Sequence, residues 1–96
     1  MARDCELVKL VGEIDLTRAA ELRSVVQAYV ESRSVDAVVD MSEVSFCGSE
    51  GIGFLGGLLK GARSKAGTVT VINASDPVQR LIKICRLDDT IRQIHR

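Results

Sequence analysis

Apolar and polar residues follow two periods along the chain, and each change of period marks the boundary of a predicted element. Glu6 to Asp15 is predicted as the first strand: Leu7, Val8, Leu10, Val11 and Ile14 are apolar, and Gly12 interrupts them near the end. From Leu16 to Val30 the apolar residues recur at every third or fourth position, which predicts an amphipathic helix. Val35 to Met41 is short and rich in β-branched residues, so it predicts a strand buried on both faces. A loop from Ser42 to Gly48 is expected to follow.

The second half of the chain repeats this alternation. Apolar residues from Ile52 to Ala62 have helical spacing, and Gly67 is the expected end of that helix. Thr68 to Ile72 predicts a third strand, and Thr90 to Ile94 predicts a short last strand. Between them, the pair Asp76-Pro77 predicts a helix whose N-cap is the aspartate and whose first residue is the proline.

The predicted order β-α-β-α-β-α-β indicates one α/β domain over residues 1–96. We expect a mixed, mostly parallel sheet of about four strands covered by three helices, because helical crossovers join parallel neighbours. The second helix is rich in glycine, and each glycine inside a helix costs about 1 kcal/mol relative to alanine. Packing against the sheet must therefore hold this helix in place.

Charge and composition exclude several classes of function. The 13 basic residues balance the 13 acidic ones, which argues against binding to nucleic acid or to anionic membranes. No apolar run is long enough to cross a bilayer, and the N-terminus does not look like a signal peptide, so a cytoplasmic protein without direct membrane insertion is expected. Cys5, Cys47 and Cys85 are widely spaced, which predicts neither a metal site nor a disulfide framework.

Two catalytic interpretations of the motifs are disfavoured. The stretch Gly51-Ile52-Gly53-Phe54-Leu55-Gly56 matches the dinucleotide pattern G-x-G-x-x-G, but its glycines fall inside a predicted helix and no acidic residue ends the next strand. Close packing explains them better than a bound cofactor. His95 is far in sequence from any candidate nucleophile, so no general base is paired with one. We therefore expect a protein that is not an enzyme, with no catalytic residue and no cofactor.

Ser49 has two possible roles, which the spacing alone leaves open. As an N-cap, its hydroxyl would accept a hydrogen bond from the first amides of the second helix. As a phosphoacceptor, it would place a phosphate at the positive end of that helix, where the fold tolerates a negative charge. The phosphate would add nearly two negative charges and repel a partner docked on that surface.

The order of these motifs resembles the STAS domain, and most closely the bacterial anti-sigma factor antagonists. The resemblance covers nearly the whole chain and is carried by Leu10-Val11-Gly12-Glu13-Ile14-Asp15, Ala19-Ala20-Glu21-Leu22, the stretch from Val38 to Phe46, and Gly48-Ser49-Glu50-Gly51-Ile52-Gly53. It implies a STAS-like fold, in which a loop leads into the second helix.

The resemblance also implies a mechanism. Such a protein binds an anti-sigma factor that has serine kinase activity, and so frees a sigma factor. The kinase phosphorylates the residue matching Ser49, which ends the association, and a phosphatase resets the switch. The partner-binding residues implied in this sequence are Glu13, Asp15, Gly48, Ser49, Glu50, Gly51 and Ile52.

The sequence departs from the family pattern beside Ser49. Gly48 stands where the family usually has Asp, and Glu50 stands where a second Ser is common. Glu50 either imitates part of the phosphate charge or simply favours the first turn of the helix. The family's extra N-terminal strand has little room before Glu6, and its last helix would have to follow Arg96.

Two further alternatives remain open. The chain could be a constitutive STAS regulatory subunit of a membrane transporter for lipid or sulphate, since the usual Asp-Ser motif is altered. Cys47, two residues before Ser49, is either a small apolar residue packed under the loop or a possible redox input to the same switch.

Overall fold

A computed structural model describes residues 4–95, and its elements follow the predicted order. They are β1 (Cys5–Ile14), a short 3-10 helix (Leu16–Arg18), α1 (Ala19–Glu31), β2 (Asp36–Cys47), α2 (Ser49–Lys65), β3 (Val69–Ile72), α3 (Asp76–Ile84) and β4 (Arg92–Ile94). Residues 1–3 and Arg96 lie outside the described part of the chain. No helix within residues 4–95 is long and apolar enough to span a membrane.

The four strands form one sheet in the order β1-β2-β3-β4. Every pairing in the described part of the chain is parallel, so the α/β class is confirmed and the expected antiparallel component is not seen there. Each strand is added beside the one before it. Because parallel crossovers share one handedness, strands added in a single direction place all three helices on the same face of the sheet.

This one-sided cover explains the burial of β2. Ala37, Val39 and Met41 are 2% exposed or less and belong to the core, whereas Val38 and Asp40 on the opposite face are only partly buried. The prediction that this strand is buried on both faces is therefore wrong. The helical side of the core is filled mainly by α2 and α3, with Leu55, Leu58, Val78 and Ile82.

The loop predicted from Ser42 to Gly48 is also wrong, because β2 continues to Cys47. Its second half pairs with the end of β1, with Gly12 opposite Val44 and Ile14 opposite Cys47. Two register shifts interrupt this pairing, and Gly12 has a φ of 81°. These irregularities break the period-two alternation of side chains, which is the signal that would have predicted a strand.

Two helix starts differ from prediction by one residue. Gly48 is the N-cap of α2 and Ser49 is its first residue, so Ser49 does not cap the helix. Ser75 is the N-cap of α3, which makes Asp76 its first residue and Pro77 its second. Both cap positions have extended backbone, and neither makes a capping hydrogen bond through its side chain.

Gly67 follows the end of α2 as predicted. It is not the residue with the left-handed backbone that often ends a helix. Ala66 has the positive φ, 56°, and the amide of Gly67 donates to the carbonyl of Ala62 at 2.7 Å. A Cβ on Gly67 would lie 1.8 Å from the carbonyl oxygen of Val35. The glycine is therefore needed where the chain passes close to the start of β2.

Candidate functional site

The carboxyl ends of β1 and β2 lie side by side, and they bring the predicted site residues to one edge of the sheet. Glu13 is opposite Phe46 and Ile14 is opposite Cys47 in the parallel ladder. The amide of Gly48 donates to the carbonyl of Ile14 at 3.0 Å, which ties the start of α2 to the end of β1. Ser49 therefore begins its helix next to the acidic end of β1.

Ser49 is exposed at the first position of α2. Its Oγ lies 3.5 Å from Oε2 of Glu50, which is a weak contact at the limit of a hydrogen bond. Because Gly48 occupies the N-cap with φ −95° and ψ −162°, the hydroxyl of Ser49 has no capping role. The helix N-terminus still presents its positive end to this surface.

The two acidic residues of the first loop have different environments. Asp15 is the N-cap of the 3-10 helix, and its Oδ1 accepts a hydrogen bond from the amide of Thr17 at 3.0 Å. Its carboxylate therefore holds the local backbone. Glu13 has an exposed side chain beside the end of β2. Glu13 is thus the acidic residue of this pair that is better placed to meet a partner.

Arg18 fixes the backbone that carries Glu13, and sequence reasoning did not single it out. Its Nη1 donates to the carbonyls of Val11 and Glu13 at 2.9 and 2.8 Å. Its Nε and Nη2 donate to the carboxylate of Glu21 at 2.6 and 3.0 Å, and this hydrogen bonding holds the pKa of Glu21 below its usual range. The bidentate pair with Glu21, three residues along the chain, was the available signal.

Exposed apolar side chains occur on the segments that meet at the start of α2. Leu16 is 75% exposed, Phe46 is 52% exposed and Ile52 is 36% exposed. A Cβ on Gly48 would lie 3.2 Å from Cε2 of Phe46, so the ring of Phe46 stands against Gly48. We call the exposed region formed by Glu13, Leu16, Phe46, Ser49 and Ile52 the Ser49 surface.

Two of the predicted site residues pack against each other below this surface, Gly51 buried and Cys47 partly buried. Gly51 is buried, and a Cβ there would lie 2.2 Å from Sγ of Cys47 and 3.2 Å from Cδ2 of Leu81. Burial, with a smaller effect of Cys85, raises the pKa of the Cys47 thiol to about 11. Burial thus disfavours the thiolate, which is the reactive form of cysteine.

A groove of about 410 Å³ runs between α1 and α2, beginning near Glu50. Its apolar walls come from Leu22, Val26 and Phe54, and Gly53 and Gly57 lie along it.

The glycines of the dinucleotide-like pattern all lie within α2, where they belong to a helix and not to a turn after a strand. Residues 4–95 contain no cluster of three metal-ligating side chains.

Comparison with known proteins agrees with this architecture. The family model described as "Mlab, STAS domain" matches residues 1–93. The chain belongs to the STAS domain family. The anti-sigma-B factor antagonist of Staphylococcus aureus (strain NCTC 8325) is 30% identical over 82 residues, which cover 85% of this chain and 76% of that protein.

Solved anti-sigma factor antagonists share the fold. An anti-sigma factor antagonist from Mycobacterium paratuberculosis matches with a TM-score of 0.81 and 28% identity, over 98% of this chain and 80% of that one. The anti-sigma factor antagonist SpoIIAA in its unphosphorylated form matches with a TM-score of 0.81 and 19% identity, over 96% of this chain and 81% of that one. The resemblance read from the motifs is therefore confirmed at the level of family and fold.

Proposed function

We propose that this STAS protein is an anti-sigma factor antagonist that acts in the cytoplasm by binding an anti-sigma factor with serine kinase activity. The observation that carries the proposal is the position of Ser49. It is exposed at the first residue of α2, between the acidic end of β1 and a group of exposed apolar side chains. The names of the relatives and of the solved neighbours support the choice of partner.

The Ser49 surface has the composition of a binding site for a basic protein surface. Phe46, Leu16 and Ile52 supply apolar contact area, which is the usual centre of a protein interface. Glu13 supplies a negative charge at its edge, suited to an arginine or lysine of the kinase. Arg18 keeps this edge rigid, so little ordering is needed when the partner binds.

Phosphorylation of Ser49 would end this association. The kinase would transfer the γ-phosphoryl group of ATP to Oγ, with loss of the hydroxyl proton and release of ADP. The phosphate would lie at the N-terminus of α2, which tolerates an anion. It would also lie beside the carboxylate of Glu50, whose Oε2 is 3.5 Å from Oγ, and would make the surface strongly negative. A phosphatase would hydrolyse the ester and restore binding.

The proposal is tested by combining the protein with a purified anti-sigma kinase and ATP. Mass spectrometry should place one phosphate on Ser49, and titration calorimetry should show weaker binding of the modified protein. Ser49→Ala should bind and resist phosphorylation, whereas the control Ser24→Ala, at an exposed serine on α1, should behave as wild type. Phosphorylation that persists in Ser49→Ala, or equal binding of both forms, would contradict the mechanism.

A second candidate is a constitutive STAS regulatory subunit of a membrane transporter. It is favoured by Glu50, whose carboxylate places a permanent negative charge beside Ser49. A pull-down from native lysate distinguishes the two functions. An anti-sigma kinase captured by wild type and Ser49→Ala, but not by Ser49→Asp, supports the switch. A transporter ATPase captured equally by all three baits supports the subunit.

A further inference from the structure

Strand β1 has a partner on one side only within residues 4–95, since it is the first strand of the sheet. The carbonyl of Asp4 accepts hydrogen bonds from the amides of Val35 and Asp36, so the backbone groups of the even-numbered residues face β2. By the alternation of a strand, the backbone groups of Cys5, Leu7 and Lys9 face the open edge. No described strand pairs with them there.

The open edge stops at Lys9 for two structural reasons. The first register shift between β1 and β2 follows Lys9. Beyond it, the carbonyls of Val11 and Glu13 are already bound by Arg18, at 2.9 and 2.8 Å. Regular pairing with a further strand is therefore available only along the stretch from Cys5 to Lys9.

The usual protection of an edge strand is weak in this stretch. A lysine on an edge normally discourages pairing through its exposed charge. Here the ammonium of Lys9 forms an ion pair with the carboxylate of Glu43 on β2, which raises the pKa of Lys9. Leu7 is 71% exposed on the same face of the sheet. An apolar side chain and open backbone groups thus occur at the same residue.

Leu7 also begins a row of paired residues on the face of the sheet that the helices do not cover. It is opposite Val38, which is opposite Thr70 on β3, and Thr70 is only 7% exposed. Exposure therefore increases along the row toward the open edge. A further strand placed beside β1 would cover the exposed end of this row.

We propose that β1 pairs antiparallel with β1 of a second copy of this chain, with Leu7 opposite Leu7. This register places Cys5 opposite Lys9 on both sides, so all six outward residues of the two strands find a partner. A register centred on Lys9 would oppose two lysines and would require the carbonyl of Val11, which Arg18 already binds. The formal net charge of zero means that two copies do not repel each other at long range.

The dimer extends two four-stranded sheets into one continuous sheet. Its central row contains Thr70, Val38 and Leu7 of each copy in mirror order. The pairing uses the stretch from Cys5 to Lys9, whereas the Ser49 surface lies at the opposite end of β1, around Glu13 and the start of α2. Both Ser49 surfaces therefore stay accessible, and the dimer is independent of the proposed function.

Sedimentation velocity over a series of protein concentrations tests the dimer. We expect the wild type to shift from monomer to dimer as concentration rises. Leu7→Lys should remain a monomer, because it opposes two charges at the centre of the pairing. The control Ile84→Lys changes a residue of α3 that is 77% exposed and should dimerise as wild type does. A wild type that stays monomeric, or a dimer that Leu7→Lys leaves unchanged, overturns the proposal.

A crosslinking experiment tests the register and does not depend on Leu7→Lys. In a Cys5→Ser background, Leu7→Cys should give a disulfide-linked dimer when oxidised glutathione is added, because the two thiols face each other. Leu16→Cys in the same background, also at an exposed leucine, should give little crosslinked product. Equal crosslinking of the two variants would show that collisions, and not a paired edge, bring the thiols together.

Discussion

At the residue scale, the thiol of Cys47 packs directly against the backbone of Gly51. The space that a side chain at position 51 would occupy is filled by Sγ of Cys47, 2.2 Å from the ideal Cβ position. Gly51→Ala should therefore lower the free energy of unfolding by about 1–3 kcal/mol, the usual cost of overpacking a core. Urea denaturation measures the change.

The double variant Cys47→Ala/Gly51→Ala separates this contact from other effects of the alanine. Removing Sγ leaves Cδ2 of Leu81 at 3.2 Å and Cγ2 of Ile14 at 3.8 Å, distances that need only a small adjustment. The double variant should be more stable than additivity of the two single variants predicts. Strict additivity would show that the thiol is not the cause of the strain.

A second residue-scale prediction concerns the pH dependence of stability at Cys47. Its pKa in the folded protein is raised from the ordinary 9.0 to about 11, chiefly by burial. The unfolded chain therefore loses this proton at lower pH than the folded one does, so stability is retained below pH 9 and is lost as the pH rises toward 11. Urea denaturation at several pH values should show a shallower loss for Cys47→Ala than for wild type.

Alkylation of the thiols gives an independent readout of the same pKa. The rate at Cys47 should keep rising up to about pH 11, since only the thiolate reacts. Mass spectrometry can follow each cysteine separately, with the exposed Cys5 as the internal reference. Rapid alkylation of Cys47 near neutral pH would contradict the burial argument and would favour the redox role.

Some features of the site could be predicted from the sequence and others could not. The glycine pattern and the resemblance placed Ser49 at the start of α2, because both are local signals. The pair of Arg18 with Glu21 has a sequence signal, but the other partners of Arg18 are backbone carbonyls of the preceding strand, which every residue type offers and no residue pattern reveals. The burial of Gly51 depends on Leu81 and Cys47, which meet only in the folded chain.

At the scale of elements, the glycines of α2 fall into two classes. Ideal Cβ atoms on Gly53 and Gly56 would meet no atom within 4 Å beyond the adjacent residues and backbone of their own helix, whereas one on Gly61 would lie 3.0 Å from Val30 and 3.2 Å from Tyr29. Gly53→Ala should therefore raise the free energy of unfolding by about 0.5–1 kcal/mol, the difference in helix propensity. Gly61→Ala is the matched control and should gain less or lose stability. Thermal unfolding of the two variants and the wild type measures both changes in stability.

The order of elements was predictable because each has its own period, but their limits depend on distant contacts. Lys65 shows this at the end of α2. Its Nζ donates to the carbonyls of Ser32 and Ser34 at 3.1 and 2.7 Å and lies 4.2 Å from the centre of the Tyr29 ring. These partners are more than thirty residues away in sequence. A lysine at the end of a helix otherwise predicts only a solvated charge.

At the scale of the whole molecule, the strand order explains which surfaces remain available. Within residues 4–95, strands added in one direction leave one face of the sheet without helices and β1 at an open edge. The sequence predicted parallel pairing but not this order of strands. The apolar residues of β1 and β2 do not show whether helices cover one face of the sheet or both. The exposure of Leu7 and Val11, at 71% and 49%, follows from that order.

The last prediction distinguishes the effect of Ser49→Asp on stability from its effect on binding. Ser49 makes no capping hydrogen bond and is exposed, so Ser49→Asp should change the free energy of unfolding by less than about 0.5 kcal/mol. The helix N-terminus favours the new carboxylate, while the carboxylate of Glu50 beside it opposes it. Binding to the anti-sigma kinase should nevertheless weaken by about tenfold or more, because the added charge faces the partner. Urea denaturation and titration calorimetry on one preparation give both values. If stability and affinity fell together, the substitution would act through the fold, and a surface charge would not explain the switch.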